Sequence, residues 1–90
     1  MIQQSIYVQN KLGLHARAAA KLVSLASKYS SETQMIIKKT NVPANCKSIM
    51  GIMMLGASKG TEVDIISSGN DEQSAHDAII ALFDNKFGEE

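Results

Sequence analysis

The sequence predicts an α+β fold in which a single sheet is covered on one face by helices. Short β-branched and aromatic runs alternate with segments whose apolar residues recur at helical spacing. These segments follow one another in the order βαββαβα, and no linker, repeat or low-complexity stretch interrupts them. At 90 residues the chain is expected to form one domain, residues 1–90, with a modest core.

Ser5-Ile6-Tyr7-Val8-Gln9 reads as the first strand. From Ala16 to about Tyr29 the pattern becomes helical, with Ala19, Leu22, Val23, Ala26 and Tyr29 on one face. Ser30-Ser31 breaks that helix, and Glu32 to Lys39 forms a second strand centred on Met35, Ile36 and Ile37. A third, shorter strand fits Asn41 to Asn45, where Pro43 confines it to a sheet edge or makes it irregular. Ser48 starts a short helix, Ile49 to Leu55, that Gly56 can terminate. Thr61 to Ser67 makes a fourth strand after the Lys59-Gly60 turn. Asn70-x-x-Gln73 has capping-box spacing for the last helix, whose buried stripe is Ala75, Ala78, Ile79, Leu82 and Phe83. His76 is expected at the surface of that helix.

The bulk numbers exclude several function classes. Nine basic and nine acidic side chains balance, so no strong field points to nucleic acid or an anionic membrane. The apolar runs are too short to span a bilayer, and the polar Gln3-Gln4 start is unlike a signal peptide, so a cytoplasmic protein is expected. The lone Cys46 excludes an internal disulfide and reads as a structural thiol; with His15 and His76 it lacks a ligand spacing, so no metal site is expected.

The functional signal lies in Asn10-Lys11-Leu12-Gly13-Leu14-His15-Ala16-Arg17-Ala18-Ala19-Ala20-Lys21-Leu22, where strand gives way to helix. A helix start offers unpaired N–H groups and a positive dipole end, which stabilise a bound anion and disfavour an imidazolium. Neutral imidazole is a competent nucleophile toward phosphorus. Arg17 can then meet the new negative charge with a charge-assisted hydrogen bond. His15 and Arg17 are therefore the candidate phosphoryl-carrying pair. On the bland alternative His15 is only a polar helix cap and Arg17 a solvated charge.

Gly13-Leu14-His15-Ala16-Arg17, followed by Ala19-Ala20-Lys21-Leu22, resembles the active-site signature of the HPr family, the histidine-containing phosphocarriers of the phosphoenolpyruvate-dependent sugar phosphotransferase system. Lys47-Ser48-Ile49-Met50-Gly51-Ile52-Met53-Met54-Leu55 resembles the same family's regulatory-serine helix. The separation of these blocks and the element order fit over nearly the whole chain. The resemblance implies an open-faced sandwich: a four-stranded antiparallel sheet, order 1-4-2-3, with three helices on one face. It implies phosphorylation of His15 on Nδ1 with Arg17 as its partner, and relay from enzyme I to IIA components by a carrier that is not itself an enzyme. Neither a metal nor an organic cofactor is implied on this chain, and a monomer is expected. Where the commonest family motif has proline after the arginine, this chain has Ala18, which keeps a helix-compatible backbone and adds a donor.

The Ser48 helix is apolar almost all round, so a helix this short must expose part of it. Ile52 and Leu55 read as core; Ile49, Met50 and Met53 read as a flexible exposed patch suited to several partners. By resemblance, Leu14, Ala20, Ile49, Met50 and Met53 would ring the phosphorylation site and dock partners. By the same resemblance Ser48 matches the serine modified by HPr kinase/phosphorylase. Lys21 and Lys28 read as a solvated face, and Lys47 as a contact for an acidic partner. Two alternatives stay open. The ending Ala81 to Glu90 resembles the nitrogen-branch carrier NPr, which relays phosphate for regulation rather than sugar uptake. A non-carrier regulator acting through Ser48 would keep the fold, but such paralogues replace the histidine that is present here.

Overall fold

The computed structural model describes residues 1–89. Its elements are β1 (Ile2–Tyr7), α1 (Ala16–Ala26), β2 (Glu32–Ile37), β3 (Val42–Asn45), α2 (Ile49–Leu55), β4 (Glu62–Ser68) and α3 (Glu72–Asp84), then a short 3-10 turn, Lys86–Gly88. The strands form one antiparallel sheet in the order β1-β4-β2-β3. This is the predicted order, with β3 on an edge. Pro43 pairs opposite Ile36 there, and its missing N–H breaks no interior ladder.

The alternation of the strands decides which face is covered. Ile6 of β1, Thr33 and Met35 of β2, Ala44 of β3, and Val63, Ile65 and Ser67 of β4 are buried beneath the helices. α1, with Ala18, Ala19, Leu22 and Ala26 buried, packs against both α2 and α3, while α3 packs on β4 and β1 and α2 on β3. A buried Leu, Ile or Phe contributes about 1.5–3 kcal/mol relative to exposure, so Leu22, Ile52, Ile65, Ile79 and Phe83 dominate this core. Ile52 is fully buried as expected, whereas Leu55 is only half-buried.

Two expectations for α3 are corrected. Its N-cap is Asp71, not Asn70, and Asp71 makes no capping bond to its own helix. Its carboxylate instead accepts from the Ser30 and Ser31 N–H groups, at 3.0 and 2.8 Å, and from the Ser31 hydroxyl. These bonds, that of the Ser31 hydroxyl foremost, pull its pKa down to about 2 and pin the start of α3 to the α1–β2 turn. Glu72 accepts from Gly69 N–H at 3.1 Å and from the N-terminal ammonium at 2.8 Å.

His76 is buried, not exposed, at 3% accessibility. Its Nε2 lies 3.0 Å from Gln4 Oε1 and its Nδ1 3.4 Å from Ser67 Oγ, which is 3.2 Å from Thr33 Oγ1. The imidazole thus ties α3 to β1 and β4, and its polar atoms are satisfied in the neutral form. Burial holds its pKa below the ordinary 6.5, with the nearby Asp77 charge opposing. As pH falls through about 6.5 the unfolded chain takes up this proton first. His76 therefore contributes stability that is complete above that pH and is lost as pH drops toward the lower folded value. Urea midpoints should fall between about pH 7.5 and about pH 5.5 in the parent, and fall less in His76→Gln. Parallel declines would contradict this role. Cys46 is fully buried, and desolvation pushes its thiol up to about 12, which leaves it inert.

Candidate phosphohistidine site

The loop leading into α1 is shaped by backbone contacts with the chain beyond α2. Val8 N–H donates to Thr61 O at 2.9 Å, Gly60 N–H to Val8 O at 2.8 Å, and Leu14 N–H to Ala57 O at 2.9 Å. Gly13, at φ +65°, lies so close that a Cβ there would stand 2.5 Å from Ala57 O and 2.8 Å from Ser58 Cα. Only glycine fits both the left-handed backbone and the close approach. Asn10, fully buried, spends its amide N–H groups on Gly13 O at 2.6 Å and Glu89 Oε1 at 3.1 Å. Its own Oδ1 is left buried without a partner, at a cost of about 1–3 kcal/mol. The amide is oriented for what it holds rather than for its own satisfaction.

His15 is the N-cap of α1, extended at φ −72°, ψ 179°. Its Nδ1 accepts from Arg17 N–H at 3.3 Å, and its Nε2 hydrogen-bonds Glu89 Oε2. An N–H facing Nδ1 requires a lone pair there, and a carboxylate facing Nε2 requires a hydrogen there, so the ring is held as the Nε2–H tautomer. The first intrahelical bond runs from Ala19 N–H to His15 O at 2.8 Å, so the N–H groups of Ala16, Arg17 and Ala18 all precede it at the helix mouth. His15 is a helix cap and a nucleophile-bearing ring at once, because the atom that caps is also the atom that could attack.

Arg17 is exposed on the first turn. With Lys11, Leu12, Lys21, Gly88 and Glu89 it lines a cleft of about 370 Å³. Three of those six residues are cationic against one carboxylate, so the cleft favours an anion despite the balanced overall charge. Glu89 is held below the usual carboxylate range, first by the Asn10 bond and then, against desolvation, by the His15 bond and the Arg17 charge. Lys21 is not simply solvated, as its Nζ donates to Phe87 O at 2.6 Å.

The remaining candidates divide. Ser48 caps α2 with its hydroxyl, which accepts from Gly51 N–H at 3.1 Å, and Gly56 ends the helix in the left-handed region at φ 64°. Ala20, Ile49, Met50 and Met53 are exposed, and Leu12 and Met54 join them at 67% and 81%. Leu14 does not: at 4% accessibility it is core, and its expected place on a docking surface is corrected. Its N–H bond to Ala57 turns the side chain's position inward, next to residues of the main core. Lys47 pairs with Glu32 at 3.4 Å.

Sequence reasoning passed over Asn10, Phe87 and Glu89. Asn10 stood at the head of the motif and could have been asked what a buried amide holds there. Glu89 carries no local signal, since it meets His15 across 74 residues.

Comparison with known proteins agrees with this geometry. The family described as "PTS HPr component phosphorylation site" matches residues 2–85. The chain is 48% identical over 90 residues to the phosphocarrier protein HPr of Xylella fastidiosa, covering 100% of this chain and 99% of the relative. It is 49% identical over 89 residues to the HPr of Cupriavidus necator, covering 99% and 98%. The crystal structure of HPr from Thermoanaerobacter tengcongensis superposes with a TM-score of 0.93 at 48% identity, covering 100% of this chain and 99% of that one. The chain belongs to the HPr family of phosphotransferase-system phosphocarriers, which relay a phosphoryl group through a histidine.

Proposed function

We propose that His15 is the phosphoryl-carrying histidine, that it is modified on Nδ1, and that Arg17 steadies the transferred group. The observation that carries this reading is the pair of contacts on the ring: Nδ1 presents a lone pair at the helix mouth while Nε2 is engaged by Glu89. Nδ1 attacks phosphorus in line, and the donor's P–N bond breaks with its electron pair returning to the donor nitrogen. Phosphoryl oxygens then accept from the N–H groups at the start of α1, and Arg17 supplies charge from the adjacent turn. In the relay, enzyme I is the donor and IIA components are the acceptors. The chain is expected to act in the cytoplasm; among the described residues no helix is long and apolar enough to cross a membrane.

The exposed apolar side chains of Ala20, Ile49, Met50 and Met53 form the surface that partners cover, with Met54 also exposed on the same short helix. Ser48 is a regulatory position beside it. A phosphate on its hydroxyl would add about −2 charge next to Ile49, Met50 and Met53 and weaken docking without unfolding the chain. Ser48→Ala should cost about 1 kcal/mol of stability through the lost cap, measured in urea, while accepting phosphate at an undiminished rate. Ser48→Asp should keep the fold and slow acceptance from enzyme I; unchanged acceptance would count against regulation there.

The test of function is incubation with phosphoenolpyruvate, magnesium and catalytic enzyme I, followed by intact mass and then addition of a IIA domain. An acid-labile gain of one phosphate, discharged onto IIA, is expected. Phosphorylation only by the nitrogen-branch enzyme I would reassign the chain to that branch. No gain from either would overturn the carrier reading for His15.

A further inference from the structure

We infer that Glu89 is a positioning residue for phosphoryl transfer, holding the His15 ring in its reactive tautomer and offsetting the positive charge that the ring acquires. The inference rests on the reading of His15 Nδ1 as the phosphoryl acceptor. Glu89 Oε2 takes the Nε2–H bond, and Oε1 is fixed by the buried Asn10 amide at 3.1 Å. That same amide fixes the loop before His15 through Gly13 O, so the loop and the carboxylate are set by one side chain.

The segment carrying Glu89 is itself anchored. Phe87 is fully buried with its ring edge-to-face on Phe83, centroids 4.8 Å apart, and Lys21 Nζ holds the Phe87 carbonyl. Lys86 and Phe87 adopt φ values of 54° and 58°, a left-handed backbone that bulky residues rarely take. Such strain persists where surrounding contacts over-determine it, and here it turns the chain so that Glu89 reaches His15.

The chemistry gives the contact a purpose. As the Nδ1 lone pair bonds to phosphorus, electron density leaves the ring and positive charge spreads to Nε2–H. The carboxylate meets that charge at the nitrogen away from the incoming group, where it strengthens as transfer proceeds. The Nε2 proton stays within the His15–Glu89 bond, and the donor keeps the electron pair of the broken P–N bond. No further acid or base is required. Onward transfer reverses each movement.

The test uses the full chain as Glu89→Ala, Glu89→Gln and His15→Ala, with ¹⁵N-labelled histidine and enzyme I charged by phosphoenolpyruvate. In the parent, the His15 ring shifts should report the Nε2–H tautomer. Glu89→Ala should admit the Nδ1–H tautomer and slow acceptance roughly tenfold, the scale of one charge-assisted hydrogen bond. Glu89→Gln, which still offers an acceptor oxygen, should preserve the tautomer while losing part of the rate. Unchanged ring shifts in Glu89→Ala, with or without a slower rate, would overturn the inference. Continued phosphorylation of His15→Ala would overturn instead the assignment of His15 on which it rests.

Discussion

Gly13→Ala should destabilise the chain by about 2–5 kcal/mol and slow phosphoryl acceptance with it. Two costs add. An L-residue held at φ +65° loses about 1–2 kcal/mol to its own backbone. The new methyl would also press on Ala57 O and Ser58 Cα, which are backbone atoms that no rotamer change can move aside, and overpacking of this kind costs about 1–3 kcal/mol. Gly56 is the control, because its φ of +64° matches while nothing lies within 4 Å of its Cβ direction. Gly56→Ala should show the backbone cost alone, about 1–2 kcal/mol. The difference in urea midpoint between the two variants reads the contact directly. Equal midpoints would mean that the loop gives way and that Leu14 and His15 are not placed by the Ala57 contact.

His15→Ala should abolish acceptance from enzyme I while leaving the fold in place. The structural cost is the lost cap bond between Nδ1 and Arg17 N–H, about 1 kcal/mol. It is raised by leaving Glu89 without its ring partner near Arg17. A domain with stability of roughly 5–15 kcal/mol survives a loss of that size. Far-UV circular dichroism should therefore match the parent while acceptance falls to background. Retained acceptance would place the phosphoryl group on another residue.

Much of the fold was legible because its signals are local. α2 runs from the Ser48 cap to the left-handed Gly56 as those two residues dictate. Pro43 restricted the third strand to a sheet edge or an irregular course, of which the edge is what forms. The misses occurred where residues distant in the chain compete for the same group. Asn70-x-x-Gln73 has the spacing of a capping box, but Asp71 takes the N-cap and spends its carboxylate on the α1–β2 turn instead. His76 looks like a surface residue between Ala75 and Asp77 until Gln4 and Ser67 supply buried partners. Leu14 is drawn into the core by the same Ala57 contact that makes Gly13 necessary.

The site divides in the same way. His15 and Arg17 could be proposed as the phosphoryl-carrying pair because the helix start and the flanking residues that carry the family resemblance lie in one short stretch of chain. The two residues alone fit a polar cap and a solvated charge as well. What holds the ring was not legible, because Glu89 arrives through a left-handed turn after α3 that depends on Phe87 finding a place against Phe83. Neither periodicity nor propensity announces a turn whose reason is tertiary.

The most direct test of the account is to identify the phosphorylated atom by ¹⁵N–³¹P coupling in the enzyme I-treated, ¹⁵N-histidine-labelled chain. Coupling to Nδ1 of His15 is the predicted result, since Nδ1 carries the lone pair at the helix mouth and Nε2 is held by Glu89. Coupling to Nε2, or to a ring nitrogen of His76, would contradict it.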